Sequence, residues 1–485
     1  MSDALNGLKP ELVWKYFGEV ARIPRCSKSE QQISAYVVKT ARGLGLEAEP
    51  DSFGNVVVRK PASPGREKVR TVVLQGHLDM VCEKNAGTIH DFTKDPIRIV
   101  RRGEVLMADG TTLGADNGIA VATNLAIMED KSLQHGPLEL LFTVDEETGL
   151  TGASNLGKGF VTGKTLLNLD SEEDWAIYVG CAGGRDTTGS WSVKRENAPA
   201  DSRFAKISVT GLKGGHSGIE INTGRGNAIK ILNRVLARLA SLGVRLSKIE
   251  GGNKRNAIPR EAFADVFIPE KRAKRVRSVV EELNRTIRAE FPTVDPDLRI
   301  SLDENPGGQA GKVISRPQQR RILRAISALP HGVTKMSADV PGLVETSTNV
   351  AVVNTGDSQI VLATSQRSSV ASEIEEVADQ VASVFKLSGA DVKQGSGYPG
   401  WKPNLDSPVL ALAKAAYRDL FGKDCDVQAV HAGLECGIIG ERYPGMDMIS
   451  FGPTLQAVHS PDEKIYIASV EKFWKFLLEI LRRIN

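Results

Sequence analysis

Short apolar runs bounded by glycine and polar residues alternate with stretches of helical spacing along the first third of the chain. Asn55–Arg59, Val72–Gln75, Leu138–Val144 and Thr165–Leu169 read as strands, being short and rich in aliphatic and β-branched residues. Gly118–Glu129 and the stretch before Gly43 read as helices. The alternation predicts an α/β domain whose sheet contains parallel strands. From about Phe204 the pattern changes. Phe204–Val209 predicts a strand, Asn227–Leu242 a helix, Glu261–Ile268 a strand, Lys271–Phe291 a charged amphipathic helix and Leu298–Leu302 another strand.

After a Gly/Pro break at Asn305–Gly311 the order recurs: helix Pro317–Leu329, strands Thr348–Asn354 and Gln359–Thr364, helix Ala371–Leu387, strand Asp391–Gln394. The recurrence points to an internal duplication at the level of pattern. The C-terminal segment returns to strand–helix alternation, with Val470, Phe473, Trp474, Leu477, Leu478 and Leu481 at the spacing of a core-facing helix. The expected organisation is one domain in two parts, residues 1–190 and 395–485, interrupted by an inserted domain at 191–394.

Length and charge sharpen this picture. A chain of 485 residues exceeds the size at which a single core stops growing. Its 62 basic and 59 acidic side chains leave a net charge of +3, and no basic stripe interleaves with aromatics, so nucleic acid is not an expected partner. The basic cluster Lys271–Arg277 falls on a helix-like segment and reads as a solvated face. No apolar run reaches the roughly 18–20 residues that span a bilayer. Met1–Val20 lacks the apolar centre of a signal peptide. The cysteines Cys26, Cys82, Cys181, Cys425 and Cys436 are odd in number and form no CxxC pair. A disulfide framework and a thiolate zinc site are therefore not expected, and a reducing cytoplasm is.

Five short motifs follow an apolar strand or open a helix: Gly76-His77-Leu78-Asp79, Leu113–Gly118, Asp145–Gly149, Asn168–Ser171 and Val458–Glu463. Ligands of an open α/β sheet gather outside the carboxyl ends of its strands, so residues far apart in sequence can converge there. Two imidazoles and three carboxylates suit Zn²⁺, with Mn²⁺ or Co²⁺ as alternatives. Five N/O donors without cysteine fit a paired-metal site, one carboxylate bridging ions roughly 3.5–4 Å apart. The adjacent acids Glu146 and Glu147 supply a ligand and a proton acceptor if one coordinates and its neighbour faces the water.

With LQGHLDMV, HDFTKDPI, TTLGADNGI, DEETG, NLDSEE, GCAGG, LKGGHSG, RNAIPREAFA, YPGW, HAGLECG and HSPDE in this order, the chain resembles the M20 metallopeptidase family, in its aminoacyl-histidine dipeptidase branch. The resemblance implies a zinc-peptidase catalytic domain with a central mixed sheet flanked by helices, and an inserted α+β lid domain of two similar halves. It implies two Zn²⁺ per subunit, replaceable by Co²⁺ or Mn²⁺. Asp116 would bridge them, His77 and Asp170 completing one ion's ligands, Glu147 and His459 the other's. Glu146 would be the general base and then the general acid, and Asp79 would fix the tautomer of His77. In the lid, His216 would stabilise the oxyanion. Arg367 would grip the dipeptide's carboxylate, with Asn256 and Gly433 beside the substrate. The implied substrates are unblocked dipeptides, including Xaa-His and β-Ala-His, and the implied assembly is a cytoplasmic homodimer.

Gly76 and Thr148 depart from alanines expected at those places and remove no ligand. Asp116 ahead of a helix also has the position of an N-cap. Ser460 and Glu463 have capping-box spacing, and a surface salt bridge is the plain alternative for Arg367. Ser217 is no nucleophile elbow, because Ile219 stands where G-x-S-x-G needs its second glycine. His90, His135, His331 and His431 read as structural or peripheral. A deacylase using the same metals on N-acyl amino acids is the nearest alternative activity. A non-catalytic binding protein would require a lost ligand, and a glycosidase leaves His77 and His459 without a role.

Overall fold

The strands Val72–His77, Leu138–Thr143, Thr165–Asn168 and Asp447–Ser450 run parallel to one another at the centre of an eight-stranded sheet. They are almost wholly buried, as strands covered on both faces must be, which is why apolar residues dominate them without regular alternation. Antiparallel strands Glu47–Pro50 and Val56–Lys60 flank one side, Ala176–Cys181 pairs antiparallel with Asp447–Ser450 on the other, and Asp426–Val430 forms the edge beyond it. The computed structural model describes residues 3–304 and 311–485, so the expected break at Asn305–Gly311 lies, apart from Gly311, outside the described residues.

This sheet belongs to a unit made of Met1–Cys181, Trp401–Ala429 and Leu434–Asn485. Helices Glu11–Val20, Ala115–Glu129 and Ile467–Arg483 pack Trp14, Phe17, Ile119, Phe473 and Phe476 into its core. The terminal helix buries a face slightly rotated from the expected one. Phe476 and Ile480 are buried, whereas Trp474 and Leu478 are only partly so. A separate four-stranded sheet pairs Lys464–Tyr466 with both Leu455–Gln456 and Val105–Ala108, so residues 457–463 form the loop of a hairpin.

The second unit comprises Ala182–Gly400 and Val430–Gly433. The expected boundary at 190 would cut the strand Gly183–Ser192, which pairs with Gln359–Ser368 and with Asp391–Gln394 inside this unit. Its sequence, rich in Gly, Thr and Ser, carries no apolar run by which the pattern could have shown it.

Eight of the nine strands of the unit's sheet fall into two halves of equivalent connection, while Gly332–Met336 pairs outside them with Val344–Thr355. In the first, Ser202–Thr210 lies between Ala262–Pro269 and Arg299–Asp303, with Arg245–Gly251 beyond Ala262–Pro269. In the second, Gly183–Ser192 lies between Gln359–Ser368 and Asp391–Gln394, with Val344–Thr355 beyond Gln359–Ser368. Arg245–Gly251 and Val344–Thr355 meet at the join. The sheet order thus carries the duplication that the pattern suggests.

Cys26 and Cys82 form a disulfide across a separation of 56 residues, contrary to the expectation of free thiols. Cysteine count and spacing do not record this pairing, which depends on two loops meeting in space: Cys26 forms a β-bridge with Met80. The cysteine count therefore gives no ground for a reducing compartment. Cys181, Cys425 and Cys436 are free and buried. Among the described residues no helix is long and apolar enough to cross a membrane.

Candidate metal centre and substrate groups

His77 ends the strand Val72–His77, Glu146 and Glu147 lie just past Leu138–Thr143, and Asp170 lies just past Thr165–Asn168. All four stand at the carboxyl ends of parallel strands, where an open α/β sheet collects its ligands. Asp116 enters from the start of helix Ala115–Glu129 and His459 from the hairpin loop. Asp116 is not an N-cap. Its extended backbone (φ −79°, ψ 110°) would suit a cap, but its two carboxylate oxygens face the imidazoles of His77 and His459 instead.

His77 Nε2 stands 3.2 Å from Asp116 Oδ1 and 3.3 Å from Asp170 Oδ1. His459 Nε2 stands 3.1 Å from Asp116 Oδ2 and 2.9 Å from Glu147 Oε2. Two donor groups result, His77–Asp116–Asp170 and Asp116–Glu147–His459, each with its donor atoms within 4.8 Å of one another and sharing Asp116. Glu146 joins a third group with His77 and Glu147.

The donor chemistry fits divalent cations. Three carboxylates and two imidazoles crowd together without cysteine, and Glu147 Oε1 is buried with no hydrogen-bond partner. Burial pushes Asp170 up to about 6. Burial opposes the charge of Asp116 too, but hydrogen bonds from His459 and His77 outweigh it and hold that carboxyl below its usual range. Burial raises Glu146 well above an ordinary carboxyl.

Asp79 does more than orient His77. Its Oδ1 lies 3.2 Å from His77 Nδ1 and accepts from the Glu146 amide at 3.1 Å, while Oδ2 accepts from the Glu147 amide at 3.2 Å and from Ser27 Oγ at 2.8 Å. One buried carboxylate therefore holds an imidazole and the backbone of both glutamates. Asp145 (φ 50°) and His459 (φ 62°) adopt left-handed backbone that non-glycine residues seldom take, a strain the surrounding bonds must hold. Thr148 Oγ1 donates to Asp145, which gives the threonine a role in that turn. Gly76 is required by packing, since a Cβ there would stand 2.5 Å from Asn117 Oδ1.

Three supporting residues escaped the sequence reading. Arg25, 3% exposed, donates to the carbonyls of Leu78, Asp79 and Gly114. Asn117 accepts from the His77 amide and donates to Leu169 O, tying two site-bearing strands to one helix. Glu463 is no capping-box partner. Its buried carboxylate accepts from the amides of Leu113, Gly114, Ala115 and Asp116 at 2.7–3.3 Å. In the sequence Glu463 is marked by its place in the HSPDE motif and by its capping-box spacing from Ser460, and neither points to the Leu113–Asp116 amides.

Since Glu463 sets the loop that presents Asp116, Glu463→Gln is expected to weaken metal binding by roughly 10–100-fold, as outer-shell changes do. Competition with a coloured chelator measures it, and unchanged affinity would remove Glu463 from the metal's support.

In the second unit, His216 lies on a short strand paired with Ala257–Ile258, and Ser217 N donates to Asn256 O at 2.8 Å. His216 Nδ1 accepts from the amides of Gly218 and Ile219 at 3.2 and 3.1 Å. The proton of the neutral ring therefore sits on Nε2, which is left as a donor. Burial, with Arg367 nearby, lowers its pKa to about 4, so the ring is neutral near pH 7.

Arg367 is 7% exposed and makes no salt bridge among the described residues, which removes the surface ion-pair alternative. With exposed Asn256 and with Tyr398 it lines a cleft of about 480 Å³. Gly433 packs against Tyr398. His431, read as peripheral, belongs to this cluster: its Nε2 lies 2.7 Å from Ser347 Oγ, and burial and Arg367 lower it to about 3. His135 and His331 are structural, bound to Gly136 O and beside Asn227 respectively.

The pattern described as Peptidase family M20/M25/M40 matches residues 73–483. The chain is 42% identical over 481 residues to the cytosol non-specific dipeptidase of Escherichia coli (strain K12), covering 99% of each. It is similar in structure to aminoacylhistidine dipeptidase from Vibrio alginolyticus, with a TM-score of 0.90 and 41% identity over 99% of this chain and 98% of that one. A tripeptidase from Staphylococcus aureus shares the fold at 16% identity, with a TM-score of 0.63 over 98% of this chain and 99% of the other.

Proposed function

Because the chain belongs to peptidase family M20/M25/M40, a family of hydrolases, we propose that it is a dipeptidase that cleaves unblocked dipeptides at a two-zinc centre, with Glu146 as its general base. The observation that carries the reading is the pair of donor groups joined through Asp116 at the strand ends. His77, Asp116 and Asp170 would hold one ion, and Asp116, Glu147 and His459 the other. Such ions supply charge that polarises a carbonyl and brings the pKa of a water from 15.7 towards about 7.

Asp79 holds Glu146 by its backbone while the carboxylate takes a proton from the attacking water. Glu146 then passes that proton to the departing amine, so one residue serves as base and acid. His216, neutral and protonated on Nε2, donates to the oxyanion. Arg367 holds the terminal carboxylate, which limits substrates to very short peptides. Xaa-His and β-Ala-His are included as substrates, following the aminoacylhistidine dipeptidase at 41% identity. A cytoplasmic location follows the cytosol dipeptidase at 42% identity.

The test is hydrolysis of a panel of free dipeptides, including Xaa-His and β-Ala-His, by metal-stripped protein with and without Zn²⁺. Activity should vanish on stripping and return with zinc. Turnover of N-acyl amino acids in place of free dipeptides would move the assignment to a deacylase, and silence on both would overturn catalysis.

A further inference from the structure

The guanidinium of Arg367 makes one side-chain hydrogen bond among the described residues, from Nη1 to Tyr398 Oη at 3.0 Å. Its Nε is buried with no partner. A buried donor left unpaired asks for a ligand. Nε and Nη2 form one edge of the guanidinium, and a carboxylate taking that edge would meet two parallel donors. The phenol occupies the opposite amine without neutralising the cation, as an aspartate or glutamate in its place would.

Tyr398 is itself held on several sides. Its amide donates to Gly184 O at 2.9 Å, and Gly184 N returns a bond to Tyr398 O at 3.0 Å. Gly184 is also the cross-strand partner of Arg367. A Cβ on Gly184 would stand 2.8–2.9 Å from the tyrosine's Cε1, Cζ and Oη, and one on Gly433 would stand 3.0 Å from Cε2. Both positions are therefore glycine because the ring passes over them. The motifs GCAGG, YPGW and HAGLECG, distant in sequence, meet around this one side chain.

We propose that Tyr398 is a positioning residue that fixes the Arg367 guanidinium for the carboxylate of the substrate. The proposal rests on the reading of Arg367 given above. The experiment compares a dipeptide with its C-terminal amide in the zinc-loaded wild type, Tyr398→Phe and Arg367→Ala. Phenylalanine keeps the ring that packs on Gly184 and Gly433 and removes only the hydroxyl.

Tyr398→Phe is expected to raise KM for the free dipeptide about tenfold, the scale of one hydrogen bond to a charged group, with kcat within about twofold. The amide's constants should stay unchanged, so the preference for acid over amide falls by the same factor. Equal changes for both substrates, or none, would overturn the proposal, since a merely structural hydroxyl does not discriminate between them. Arg367→Ala separates the two readings. If it abolishes the acid preference while Tyr398→Phe leaves it whole, only the role of Tyr398 falls. If it leaves the preference whole, the carboxylate role of Arg367 falls and that of Tyr398 with it.

Discussion

Glu146→Gln is expected to lower kcat by roughly 10²–10⁴-fold, the usual scale of general acid–base catalysis, with both metal ions retained. The amide side chain has the shape of the carboxyl and cannot accept the water's proton. The backbone amides of Glu146 and Glu147 would still be held by Asp79, so the neighbouring donors keep their places. Elemental analysis beside steady-state kinetics checks both halves. Glu146 also has an oxygen within reach of His77 and Glu147 donors, so the metal content is informative. An inactive variant that has lost an ion would make Glu146 a ligand, and an active one with both ions would need another base.

Asp116→Asn is expected to empty both positions. Asp116 stands in both donor groups, one oxygen toward His77 and the other toward His459. A neutral amide offers one weak oxygen and removes the negative charge that the two donor groups share. Affinity should fall by more than the roughly 10–100-fold that outer-shell changes cost, and activity should fall to background.

A second readout needs no turnover. Metal that binds only the folded state raises the melting temperature by mass action. Zinc should raise that of stripped wild type and have little effect on Asp116→Asn. A variant that still takes two equivalents of zinc would refute the shared position of Asp116.

Much of this site was legible in sequence because the chemistry sits in short motifs next to strands. His77, Glu146, Glu147 and Asp170 close or follow short apolar runs of the kind a buried parallel strand shows, and the strand ends put them together. The strand Gly183–Ser192 was illegible, its residues being mostly small and polar, and with it the true start of the second unit. On the terminal helix the spacing found Val470, Phe473, Leu477 and Leu481 on the buried face, but took Trp474 and Leu478 where Phe476 and Ile480 are buried, because the apolar stripe is wider than the part that is covered.

The sequence by itself determined the donor types, the alternation that makes an α/β sheet, and the family. Those depend on local residue order, and local order sets both strand periodicity and motif spacing. Only the tertiary structure decided that Glu463 holds the loop of Asp116, that Cys26 meets Cys82, and that Tyr398 touches Arg367. Each joins segments separated by 31 to 350 residues, and no local pattern records how such segments approach one another.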